Sequence, residues 1–180
     1  MSNKRPYTRR LIVVLSCGLG VALFVAVISA LGFAGYRVNC TPSMPQGIYR
    51  LSKRAFARGD TVSYCLDVAP FTVLARDRAY LRPGTCANGL EPLVKILAGL
   101  PGDILAITPE GLWINGRLQP RSRVCPQDRL HRPLSSLLRP GRIPLGQALL
   151  LSDHPGGFDG RYFGLVPLAA VQKVRPVLVF

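Results

Sequence analysis

The chain reads as a mostly β domain behind one N-terminal membrane-spanning helix. Two observations lead there: an uncharged apolar stretch between Arg10 and Arg37, and beyond it a series of short β-type runs broken by Gly and Pro. The stretch LIVVLSCGLGVALFVAVISALGFAGY exceeds the roughly 20 residues a helix needs to cross a hydrocarbon core of about 30 Å. A cleavable signal peptide is the competing reading, but signal h-regions span only about 7–15 residues. An uncleaved anchor over residues 11–36 is therefore expected, with a basic N-terminus at 1–10 and a folded domain at 37–180. Lys4, Arg5, Arg9 and Arg10 precede the anchor with no acidic residue among them, which favours a cytoplasmic N-terminus and an outer domain across the membrane.

The β runs come in order: Thr61–Leu66, Leu93–Ala98, Ile104–Thr108, Leu112–Ile114, Ala148–Ser152 and Val174–Val179. Asn115-Gly116 after Leu-Trp-Ile is a two-residue hairpin signal, with Arg117–Leu118 as the short return strand. Sixteen prolines and 18 glycines suit strands and turns and argue against a helical bundle. Leu66–Arg76 fits either one short helix or an extended segment. Arg121–Arg142, rich in Arg and Pro, reads as a long insertion between strands.

The formal net charge of +14 comes from 23 Lys and Arg against 9 Asp and Glu. The basic residues are scattered, and no aromatic-interleaved basic helix occurs, so nucleic acid is not an expected partner. An anionic lipid surface is. Cys17 lies in the anchor, whereas Cys40, Cys65, Cys86 and Cys125 lie beyond it. Four cysteines in an oxidising compartment suggest two disulfides, with three connectivities open. The short spacing favours Cys65 with Cys86, leaving Cys40 with Cys125. No C-x-x-C pair occurs, and His131 and His154 lack ligand partners at zinc spacing, so no metal site is expected.

Four segments carry the chemistry: Cys40-Thr-Pro-Ser-Met-Pro-Gln-Gly-Ile-Tyr-Arg50, Arg58-Gly-Asp-Thr-Val62, Val94-Lys-Ile-Leu-Ala-Gly-Leu-Pro-Gly-Asp103, and Ser152-Asp-His-Pro-Gly-Gly-Phe-Asp-Gly-Arg-Tyr-Phe-Gly-Leu-Val-Pro167. Each alone says little; Ser43 by itself is an ordinary turn serine between prolines. Lys95 is different in kind, because it sits within Leu93-Val-Lys-Ile-Leu97. On a strand it shares a face with Leu93 and Leu97, where an ammonium is costly and a neutral amine is not. A serine hydroxyl becomes a nucleophile only when a neighbour accepts its proton, and a lysine of lowered pKa meets that need.

In this order, behind an anchor, the four segments resemble the boxes of the type I signal peptidases, and the S-M-P-x-G-I-Y form resembles their conjugative-transfer TraF branch. The resemblance implies a signal-peptidase-like coiled β-sheet domain and a serine endopeptidase without a cofactor. It implies Ser43 as nucleophile, Lys95 as general base, and Thr41 as a hydroxyl donor to the oxyanion. Asp153, Asp159 and Arg161 match the last box, whose acidic and arginine residues brace the active-site strands. That box is one residue short, and Gly157 stands where a serine would hydrogen-bond the lysine; Asp159 or His154 are the candidates to substitute. Gly99–Asp103 is the structural turn after the lysine strand. The resemblance further implies a single-pass protein of the cytoplasmic membrane with its catalytic domain in the periplasm. Its substrate would be a pilin-like precursor cut after small residues, with head-to-tail cyclisation as one fate of the product. A general leader peptidase and a non-catalytic anchored subunit of a secretion channel are the alternatives.

Overall fold

The computed structural model describes residues 5–180; Lys4, one of the basic residues before the anchor, lies outside them. The described residues form two compact units that divide after Arg37. The first contains helix α1 (Arg5–Phe33). Its segment Arg10–Phe33 has a mean hydropathy of 2.9 and no buried share. Leu19, Phe24 and Phe33 stand among its exposed apolar side chains. A helix apolar all round has no polar face to turn to water. At 1.5 Å per residue, the 24 residues span about 36 Å, long enough for a bilayer core. The helix fits a single-pass membrane protein.

The remaining elements are β1 (Tyr36–Asn39), which runs across the division, β2 (Gly47–Leu51), β3 (Thr61–Tyr64), α2 (Phe71–Asp77), β4 (Leu93–Gly99), β5 (Ile104–Thr108), β6 (Gly111–Ile114), β7 (Arg117–Leu118), β8 (Gly141–Arg142), β9 (Gln147–Leu151), α3 (Gly160–Phe163), β10 (Val166–Pro167) and β11 (Gln172–Val179). They form a seven-stranded sheet in the order β1-β2-β11-β3-β4-β9-β10 and a four-stranded sheet in the order β7-β6-β5-β8. This is a mostly β fold, as the Gly/Pro punctuation predicts. The hairpin at Asn115-Gly116 forms as expected: both residues have positive φ, 51° and 74°, which a two-residue turn of the primed type requires. The undecided stretch Leu66–Arg76 holds all of α2 but its last residue, with Phe71 and Ala75 buried at helical spacing.

Two cores explain the apolar runs. One gathers Val62, Tyr64, Leu93, Leu97, Leu150 and Phe163. The other gathers Leu105, Leu112, Ile114, Ile143, Leu149 and Leu151. Strand β9 thus sends Leu150 one way and Leu149 and Leu151 the other, so both its faces are buried and its sequence loses the usual alternation. Each such side chain contributes about 1.5–3 kcal/mol through burial. Lys95, in phase with Leu93 and Leu97 on β4, is carried into the first core by strand register, between Val62 on β3 and the Ile96–Leu151 pair with β9.

One expectation is corrected. Cys65 and Cys86 are disulfide-bonded, but Cys40 and Cys125 are free. Cys40 is exposed at the end of β1, whereas Cys125 is half-buried with its N–H directed at the Tyr162 hydroxyl, so pairing by elimination fails. Strand β2 was also not anticipated. Its partner is β11 at the far end of the chain, and Gly47 is the residue that lets Leu178 approach: a Cβ there would stand 2.1 Å from the Leu178 carbonyl oxygen.

Candidate active site

Between β1 and β2 the chain makes a Pro-flanked turn carrying Thr41 and Ser43. Neither Pro42 nor Pro45 offers an N–H, so the turn is tied through its carbonyls. Asn39, 5% exposed, does most of this: its Nδ2 lies 3.0–3.1 Å from the carbonyl oxygens of Thr41, Met44 and Pro45. The Tyr49 hydroxyl also donates to Pro45. Across the sheet, Ser152 Oγ donates to the Ser43 carbonyl at 2.7 Å, joined by the Asp153 N–H at 3.0 Å.

Because three carbonyls face Nδ2, the Asn39 amide oxygen must face Thr41, whose hydroxyl donates to it at 2.8 Å. The Thr41 hydroxyl has then spent its proton, so the 2.9 Å contact with Ser43 runs from the Ser43 hydroxyl to Thr41 Oγ1. In this resting arrangement the serine proton points at Thr41.

Thr41, Ser43, Tyr80, Lys95, His154 and Phe158 line one open cleft of about 310 Å³. Lys95 is 2% exposed, the one lysine among the buried charged side chains of the described residues. Burial pushes its pKa down to about 8, while the Asp159 carboxylate pulls the other way.

Behind the lysine, Asp159 and Arg161 form an ion pair at 2.9 Å, with side chains 0% and 1% exposed. Asp159 caps α3 by accepting the Arg161 N–H and also accepts the Ser152 N–H. The Arg161 guanidinium donates to carbonyls of Arg121, Arg123, His154, Pro155 and Gly157. One buried cation thereby ties the last box to the Arg121–Arg142 insertion, and every donor finds an acceptor, which such burial requires.

Not every residue read from the sequence joins this brace. Asp153 points outward and pairs with Arg121, both more than half exposed. His154 lines the cleft but receives the Gly156 N–H at Nδ1 and lies 3.1 Å from the Arg129 guanidinium, not on Lys95. Asp159 faces Lys95 electrostatically, yet its oxygens are taken by Arg161 and Ser152. The second and third boxes meet each other: Arg58 donates to the Ala98 carbonyl and pairs with Asp103 at 2.6 Å, which fixes the turn after β4. Sequence reasoning passed over Asn39 and gave Ser152 no role. An asparagine two residues before Thr41 is the only signal the first offered.

The cleft thus brings together a serine, a neighbouring threonine hydroxyl and a lysine buried in apolar surroundings. The chain belongs to the signal peptidase family, peptidase S26, whose family model matches residues 9–177. The family is one of serine peptidases. The chain is 38% identical over 168 residues to the conjugal transfer protein TraF of Agrobacterium tumefaciens (strain 15955), covering 89% of this chain and 93% of that one. It is 35% identical over 176 residues to the plasmid transfer protein TraF of Escherichia coli, covering 96% and 98%. Among solved structures, a signal peptidase I from Enterococcus faecalis V583 matches 69% of this chain and 99% of its own, with 22% identity and a TM-score of 0.41.

Proposed function

We propose that the protein is a membrane-anchored serine endopeptidase with a Ser43/Lys95 dyad that matures a pilin-like precursor in conjugative transfer. The observation that carries the reading is the opening of Ser43 and the buried, depressed Lys95 onto one cleft. At pH 7 about a tenth of an amine with pKa about 8 is neutral and able to act as a base. The precursor assignment rests on the similarity to TraF proteins named for conjugal and plasmid transfer.

In the reaction, substrate entry turns the Ser43 hydroxyl from Thr41 toward Lys95. Ser43 Oγ attacks the scissile carbonyl as Lys95 takes its proton. Thr41, released by Ser43, turns its own proton from Asn39 onto the developing oxyanion beside the Ser43 N–H; one such donor is worth about 3–4 kcal/mol. Collapse breaks the C–N bond, and the Lys95 ammonium protonates the leaving amine. The acyl-enzyme is then resolved by water, deprotonated by Lys95, or by the precursor's own amine, which yields a cyclic product. The cytoplasmic N-terminus and periplasmic domain follow from the basic residues ahead of the anchor.

Ser43→Ala and Lys95→Ala should each abolish maturation of a co-expressed precursor while the protein still folds and inserts. Mass spectrometry of the precursor reads the outcome, and near-normal maturation by either variant sinks the dyad. A linear product from an active enzyme removes only the cyclisation step.

A further inference from the structure

We propose that Ser152 and Gly157 form a unit that positions the nucleophile: the Ser152 hydroxyl fills the space a side chain at 157 would need and from there holds the Ser43 carbonyl. The inference rests on Ser43 being the nucleophile. Ser152 is 6% exposed and follows directly on β9. Extending the antiparallel pairing of Ile96 with Leu151 by one residue sets Ser152 opposite Lys95. Its hydroxyl donates to the Ser43 carbonyl at 2.7 Å and accepts the His154 N–H at 3.1 Å. One side chain therefore joins the end of the lysine's neighbouring strand to the nucleophile's turn, 109 residues away in sequence.

Gly157 explains itself through the same atom. Its φ is not in the positive range, so its backbone does not call for glycine. A Cβ at 157, however, would stand 2.2 Å from Ser152 Oγ and 2.4 Å from Ser152 Cβ. The two positions exclude one another: a hydroxyl side chain fits at one of them only. With Ser152 in this place, the serine that the family resemblance looks for at 157 has no room. What it holds here is the Ser43 carbonyl, so its contribution is the placement of Ser43 Oγ relative to Lys95. Misplacing a reacting atom by about 1 Å can cost on the order of 100-fold in rate.

The test uses the purified full chain in detergent micelles and a fluorogenic peptide with an Ala-Xaa-Ala scissile site. Ser152→Ala should lower kcat by about 100-fold with KM within about threefold and a near-normal melting temperature. Gly157→Ser alone should melt early and be inactive. Combining Ser152→Gly with Gly157→Ser removes both clashing atoms and should raise the melting temperature above that of Gly157→Ser. It should also raise kcat at least about tenfold above Ser152→Gly. A kcat for Ser152→Ala within about twofold of wild type overturns the inference. So does a soundly folded double variant no faster than Ser152→Gly. Ser43→Ala distinguishes the levels: if it is inactive while Ser152→Ala is normal, only the positioning role falls, and if it still cleaves, the nucleophile assignment falls as well.

Discussion

The Ser43 turn and the Lys95 strand face the same cleft but are held in opposite ways. The turn carries prolines, regular strand pairing skips it, and its carbonyls are tied by side chains: Asn39 to three of them, Tyr49 to one, Ser152 to Ser43 itself. The strand is paired on both edges and pressed by Leu93 and Leu97 into the main core. A few oriented hydrogen bonds contribute about 0.5–1.5 kcal/mol each, whereas a packed strand draws on many contacts at once. On the proposed mechanism, the Ser43 hydroxyl is then free to turn from Thr41 toward Lys95, while Lys95 stays fixed in the dry setting that lowers its pKa. Substitutions in the turn should register in rate, and those in the strand in stability.

The largest effect should come from the group that serves both regions. Asp159 neutralises buried Arg161 and accepts the Ser152 N–H, so Asp159→Ala leaves a guanidinium buried without its carboxylate. Breaking such a pair costs about 3–5 kcal/mol. Urea unfolding in micelles should show that loss, with activity falling too; an unchanged midpoint means that water or a rearranged loop neutralises Arg161. Next, Leu97→Ala empties a fully buried site beside the lysine and should destabilise by about 2–5 kcal/mol. Below its melting transition, its kcat per folded molecule should stay near wild type. A large fall in kcat without loss of stability would break the contrast between strand and turn.

Asn39→Ala is the reciprocal experiment in the turn. It removes the donors to Thr41, Met44 and Pro45 and the acceptor for the Thr41 hydroxyl. A stability loss of about 1–3 kcal/mol is expected from the carbonyls left unpaired. The rate should fall further than that loss accounts for, because Thr41 and Ser43 lose their common reference. Asn39→Asp keeps the acceptor and loses the donors, so kcat for the two variants separates proton placement from turn geometry.

The same contrast governs what the sequence makes legible. Lys95 stands out because an ammonium among leucines on a strand breaks the local pattern, and strand register then predicts its burial. The Asn115-Gly116 hairpin is legible because its turn chemistry is local. Asn39 and Ser152 are not, since each acts through backbone carbonyls whose positions only the fold sets, one of them 109 residues away. Strand β2 escapes notice for the same reason: prolines precede it, and its partner β11 lies at the other end of the chain. Helix α2 is ambiguous because Pro70 provides no side-chain cap. Cys65 with Cys86 follows from short spacing, whereas assigning Cys40 to Cys125 by elimination assumed that every outer thiol must pair.

The smallest effect is the most specific to the strand. With a folded pKa of about 8, neutral Lys95 rises from about a tenth of the population at pH 7 to about nine tenths at pH 9. Cleavage should therefore increase about tenfold across that range, equivalent to about 1.4 kcal/mol. Stability follows with a definite sign. The unfolded amine titrates near its ordinary value of 10.5, so between about 8 and 10.5 the unfolded chain binds more protons than the native one. The neutral-lysine contribution is complete above 10.5 and is lost as pH falls through about 8; below that the cost of burying the charge is constant. Lys95→Met should flatten this part of the stability curve while leaving the rest unchanged. His154 offers the competing explanation for any pH dependence of rate, because it lines the same cleft. A histidine base loses function only below about pH 6.5. If His154→Ala keeps the alkaline rise, the lysine is the titrating base. If His154→Ala folds soundly and is inactive, the proton passes to the histidine and the strand is only a scaffold.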